Sequence, residues 1–162
     1  MRQVALFLSV KPIFASRILD GTKTIELRRV RPNVVSGDVV LIYSTSPEMA
    51  LLGSAQVAQI LSGTPQDIWP QVLDHASVSQ AQFDDYFSGA TTAIGIRLRA
   101  VRRLARPIHL QELRERWPWL KPPQSFRYVD ALLDADREAV KFLRPADSAA
   151  CTSADMHIQS AQ

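Results

Sequence analysis

Lysine, glutamate and arginine fall close together at Lys23, Glu26 and Arg28, which puts an amine, a carboxylate and a guanidinium in one short segment. Together they offer donors for phosphate and carbonyl oxygens and an acceptor for the amino groups of bases. A nucleotide or nucleobase suits that mixture better than a purely anionic ligand. Alternation along an extended chain sets Glu26 and Arg28 on one face, about 7 Å apart, where they can pair or share a ligand. Lys23 stands one step from the strand entrance. If it is desolvated, its lowered pKa lets it act as a base, with Glu26 or Arg28 orienting the substrate. The alternative is a solvated ion-pair face, which contributes little. Burial decides between the two.

Further polar groups stand where neighbouring strands end: Ser9, Lys11, Tyr43 and Ser46. Tyr43 can stack on a base or sit at a barrel edge with its ring in the core. Gln124, Arg127 and Tyr128 form a polar-aromatic group able to close over a cleft, or else a packed connection under a proline-rich loop. Trp69 has the spacing of a core residue, whereas Trp117 and Trp119 flank Pro118 and stay unassigned.

Several other chemistries are excluded. His75, His109, His157 and the single Cys151 are too scattered for a zinc set. No Gly-x-Ser-x-Gly elbow accompanies the histidines. Gly21-Thr22-Lys23-Thr24 lacks the earlier glycine and the Gly-Lys-Ser/Thr ending of a phosphate loop. Neither metal nor cofactor is expected.

The chain has 162 residues, 46% of them hydrophobic and 22% charged, as in ordinary soluble proteins. That length fits one domain, expected over 1–144, followed by a flexible Ala-, Ser- and Thr-rich tail over 145–162. The net charge of +3 is modest, but its distribution is uneven. Lys11, Arg17, Lys23, Arg28, Arg29 and Arg31 form one basic segment, and Arg97, Arg99, Arg102, Arg103 and Arg106 a second. Such clusters suggest a positive region and an anionic partner. The apolar run Val4–Val10 is too short to cross a membrane, so a cytoplasmic protein without a membrane partner is expected.

The elements that must position these groups follow from periodicity. Val4 to Val10 reads as a buried strand, and Ile13, Phe14, Ile18 and Leu19 as a short helix ended at Asp20-Gly21. Lys23 to Val30 alternates, with Ile25 and Leu27 toward a core and Glu26 and Arg28 toward solvent or a ligand. Val39 to Tyr43 and Leu51 to Ile60 are further strands, with Gly53 marking a bulge or close backbone approach. Helices are expected from Thr64-Pro65 through Leu73, shortened or kinked by Pro70, and from Ser79 to Phe87. Thr91 to Leu104 is a strand with Ile94, Ile96, Leu98 and Ala100 inward, closed by Pro107. Leu110 to Trp117 and Asp134 to Phe142 are the last helical stretches. This pattern predicts an α+β fold, a small, partly open barrel of roughly five or more strands with inserted and flanking helices.

The segment LSVKPIFASRILDGTKTIELRR, Leu8 to Arg29, resembles the ASCH domain family within the PUA-like superfamily. Gly21, Lys23, Glu26 and Arg28 match its Gly-x-Lys-x-x-Glu-x-Arg signature, and Leu8 to Pro12 resembles its opening strand. Tyr43 to Pro47 and Pro122 to Tyr128 resemble later segments. The resemblance implies a PUA-like barrel and binding of RNA, single-stranded nucleic acid or a nucleoside, as in regulators of transcription, translation or RNA processing. It also implies an enzymatic alternative. Some relatives hydrolyse the amide of N4-acetylcytidine with lysine, threonine and glutamate, and others are proposed ribonucleases. Lys23 matches the amidohydrolases' lysine, but Glu26 stands where they carry threonine.

Overall fold

The computed structural model describes residues 4–130. Its elements are β1 (Val4–Val10), α1 (Pro12–Leu19), β2 (Ile25–Arg28), β3 (Val39–Ser44), β4 (Ala50–Gly63), α2 (Pro65–Val72), α3 (Gln80–Tyr86), β5 (Ala93–His109), α4 (Leu110–Arg116) and β6 (Phe126–Asp130). The six strands form one sheet in the order β2-β5-β4-β3-β1-β6. Only β1 and β3 run parallel. This is the α+β, partly open barrel that the periodicity predicts. The expected helix Asp134–Phe142, the boundary at 144 and the tail bearing Cys151 and His157 lie outside the described residues.

Strand alternation sorts the side chains into three cores. Leu6, Leu8 and Val10 meet Val40, Ile42, Ile94, Ile96 and Leu98 on the inner face, where Ala15 and Ile18 of α1 cover them. Phe7, Leu41 and Tyr43 point the other way and pack under Leu113 and Trp117. Ile25, Leu27 and Leu61 meet Ile68, Val72, Phe83 and Phe87 of α2 and α3. Both of these helices begin on reciprocal capping boxes, Thr64 with Asp67 and Ser79 with Gln82. Pro70 lies inside α2, which stops at Val72.

Several local expectations need correction. The second strand is only four residues long, not Lys23 to Val30. Ala100 is exposed rather than inward, with a φ of 49° where β5 bulges. Pro107 does not end β5. Pairing to β4 lapses after Arg103 and resumes at Ile108, so the proline's missing N–H falls in the unpaired stretch. No strand was expected beyond the proline-rich loop, yet Phe126–Asp130 pairs with β1 as an edge strand.

Gly53 confirms its expected role. A β-carbon there would lie 2.3 Å from the carbonyl oxygen of Arg102 and 2.7 Å from Leu19 Cδ2. Backbone cannot yield as a flexible side chain does. Gly53→Ala is therefore expected to cost about 1–3 kcal/mol of stability, measured by urea denaturation. A change within experimental error would show that the β4–β5 approach is looser than described.

Candidate functional site

The site is assembled around β2 by its two flanking segments. Gly21, at a φ of 85°, turns the chain out of α1, and Lys23 N–H donates to the Arg17 carbonyl at 2.9 Å. On the other side the α2–α3 connection lies along β2. The His75 carbonyl accepts from Thr24 and Ile25 N–H at 2.9 and 3.0 Å, while Ser77 Oγ donates to the Thr22 carbonyl. Arg17 in turn donates to the Ser77 carbonyl at 2.9 Å. This strap buries what the alternation alone left wet. Lys23, Glu26 and Arg28 are only 2%, 6% and 7% exposed, so a solvated ion-pair face is ruled out.

The three groups converge. Glu26 accepts from Arg28 Nη2 at 2.9 Å through Oε1, and its Oε2 lies 3.4 Å from Lys23 Nζ. The amine also donates to the Ala76 carbonyl and sits 4.8 Å from the centre of the Phe14 ring. Burial pushes the Lys23 amine below its ordinary pKa, and the neighbouring Glu26 carboxylate opposes the shift without reversing it.

Arg28 bridges the open side of the barrel. From one edge strand it reaches the Ser9 carbonyl of β1 at 2.8 Å, and the carbonyl and hydroxyl of Ser125, just before β6, at 3.2 and 3.1 Å. Two buried polar atoms at this place, Arg28 Nε and Ser9 Oγ, have no protein partner among the described residues. Buried polar groups are nearly always satisfied, so these two sealed atoms mark unused hydrogen-bonding capacity at the cleft wall.

All three side chains open on a cleft of about 560 Å³. Of the residues singled out in the sequence, it is lined by Ser9, Lys11, Lys23, Glu26, Arg28 and Gln124. The other four lie elsewhere. Tyr43 packs in the core against Phe7, ring centres 5.3 Å apart. Ser46 is exposed in the β3–β4 turn. Arg127 stacks over Trp119 at 4.9 Å. Tyr128 accepts a 2.7 Å hydrogen bond from Asn33 N–H through its hydroxyl.

Sequence reading missed Phe14, Thr45, Gln82, Phe83, Tyr86 and Ser125, which also line the cleft. Phe83 and Tyr86 had the spacing of one helix face, but nothing local tied that helix to β2. Nor is the cleft as basic as the arginine clustering suggests. Lys11, Lys23 and Arg28 are offset there by Glu26 and Asp85. The aromatic wall and balanced charge favour a planar, polar ligand with a single phosphate over a bare polyanion. Burial also raises the Tyr86 hydroxyl above its ordinary pKa, so it stays protonated as a donor.

Among the described residues, no group of three His, Cys, Asp or Glu side chains stands close enough to hold a metal ion. No helix among them is long and apolar enough to cross a membrane.

This curved sheet has known counterparts. The ASCH domain profile matches residues 8–115. An ASCH domain-containing ribonuclease of Zymomonas mobilis is 34% identical over 122 residues, covering 75% of this chain and 82% of its own. The crystal structure of ASCH from Zymomonas mobilis superposes with a TM-score of 0.77 at 31% identity, covering 86% of this chain and 94% of that one. A crystal structure of a Pseudomonas putida protein shares the fold at 14% identity and a TM-score of 0.53, covering 87% and 99% of the two chains. The chain belongs to the ASCH domain family, and its architecture is the PUA-like α+β barrel.

Proposed function

We propose that the protein binds single-stranded RNA in the cleft and cleaves it by transesterification. The observation that carries this reading is the buried amine–carboxylate–guanidinium cluster opening on one cleft, with Arg28 Nε and Ser9 Oγ left without partners. The Zymomonas mobilis relative named as a ribonuclease supports the choice of RNA. A base lies against Phe14, Phe83 and Tyr86, and the adjoining phosphate lies at the Arg28 side of the cleft wall.

In the reaction, Glu26 takes the proton of the ribose 2′-hydroxyl, and the freed oxygen attacks the adjacent phosphorus. The P–O5′ bond breaks and Lys23 gives its proton to the departing O5′. The products are a 2′,3′-cyclic phosphate and a 5′-hydroxyl end. Arg28 stabilises the charge on the non-bridging oxygens. A binder without turnover, acting as a regulator of RNA, is the other outcome of the same test.

The test is incubation with a single-stranded RNA, with product ends read by mass spectrometry. Cyclic phosphate ends lost in Lys23→Met support the mechanism. Retention of intact RNA by the wild-type protein leaves binding alone.

The acid role also fixes the sign of a pH effect. The lowered pKa of Lys23 means that its ammonium is lost below the usual lysine value. The alkaline limb of kcat/KM is therefore expected to fall with a midpoint below about 10.4, the ordinary lysine pKa. Activity rising through that range would instead make the neutral amine the working form.

A further inference from the structure

The outer face of the sheet is covered at two places. The α2–α3 pair packs over Ile25, Leu61 and Ala93, and α4 packs over Leu51 and Ile108. Between them runs a bare strip of β4 and β5. Cross-strand partners share a face. Arg97 is opposite Gln59, Arg99 opposite Gln56 and Arg102 opposite Ser54. Simple alternation would send Arg102 to the other side from Arg99. The extra residue in β5 between these pairs, at the left-handed Ala100, restores it to the same face.

Among the described residues, Arg97, Arg99 and Arg102 make no side-chain hydrogen bond or ion pair. Arg106 differs, being held by both oxygens of Glu112 at 2.8 and 2.6 Å. Arg103 lies opposite Gly53, on the inner face, and contributes to the field at Asp20. Three unpaired guanidinium groups thus stand in one row with glutamine side chains beside them. Adjacent like charges on a strand repel each other, and protecting an edge needs fewer of them.

We propose that this row is a docking track for the phosphodiester backbone of single-stranded RNA, separate from the cleft. Arg97 and Arg99 repeat at about 7 Å along the strand, a step comparable to that between phosphates of an extended polynucleotide. Forked guanidinium donors match phosphate oxygens, and Gln56 and Gln59 supply neutral hydrogen bonds to the sugar edge. The choice of RNA rests on the proposed function; the backbone contact does not require cleavage.

The test is fluorescence anisotropy of a labelled 2′-O-methyl RNA, which binds without being cut, across a salt series. Each single-strand phosphate contact adds about 0.7 to the salt slope. R97Q/R99Q/R102Q is therefore expected to lower that slope by about 2 and to weaken binding at least about tenfold at low salt. R97K/R99K/R102K is expected to retain most of the slope. Cleavage of a dinucleotide, too short to reach the strip, should be unchanged by either variant. Unchanged slope and affinity in the glutamine variant, with its melting temperature intact, overturn the track. If arginine-dependent binding persists while no RNA is cut, the cleavage reading fails and the track stands. If RNA is cut and the arginines are irrelevant to affinity, the reverse holds.

Discussion

Glu26→Ala is expected to lower the stability of the protein by about 3–5 kcal/mol. The carboxylate stands between two cations that are almost fully buried, 3.4 Å from Lys23 and 2.9 Å from Arg28. Truncating it leaves both positive charges desolvated and facing each other across an empty space. The strap at residues 74–78 covers the amine, Ser9 and Ser125 hold the guanidinium, and both meet water only at the cleft wall. Glu26→Gln keeps an acceptor for the guanidinium and is expected to cost less. Lys23→Met with Glu26→Leu removes the amine and the carboxylate together and should recover only the Lys23 share of the loss, since Arg28 stays buried without its carboxylate. Equilibrium urea unfolding of the three variants orders them. An alanine variant within about 1 kcal/mol of wild type would mean that the cluster is screened by solvent like a surface pair.

Lys23→Arg is expected to reduce RNA cleavage by about 10²–10⁴-fold, the usual range for loss of a positioned acid or base. The substitution retains the positive charge but substitutes a group that does not release its proton near neutrality. It therefore separates charge from proton transfer. If Lys23 acted only as a counter-charge to Glu26 and the phosphate, arginine would keep much of the rate. The substitution is bulky for a site closed by Phe14 and the Ala76 carbonyl, so thermal melting and RNA affinity must be measured beside turnover. Loss of rate with affinity and melting preserved assigns the proton to Lys23. Rates that stay within a few-fold of wild type would remove the lysine from the chemistry.

The charged trio was legible in the sequence because its spacing is local. Gly21 turns the chain, and strand alternation places Glu26 and Arg28 side by side. Its burial was not legible, because the covering residues come from far along the chain, at Ala76, Phe83 and Ser125. Helix starts at Thr64 and Ser79 could be read, since a capping side chain acts within one turn. Tyr43 shows an error of weighting. It alternates with Leu41, and that parity already placed it on the outer core rather than in the cleft. The strand Phe126–Asp130 escaped notice because nearby prolines masked a short pairing that depends wholly on β1. The continuation of β5 past Pro107 likewise depends on a lapse in pairing that no local pattern announces.

Arg28 holds both margins of the gap that the sheet leaves unclosed, and it also lines the cleft. One side chain is thus both clasp and sensor. Work done by an occupant on that guanidinium is felt at the two rims, and slackening the rims alters the grip on the occupant by an equal free energy. Tightness of closure and tightness of capture cannot be adjusted one without the other in this molecule.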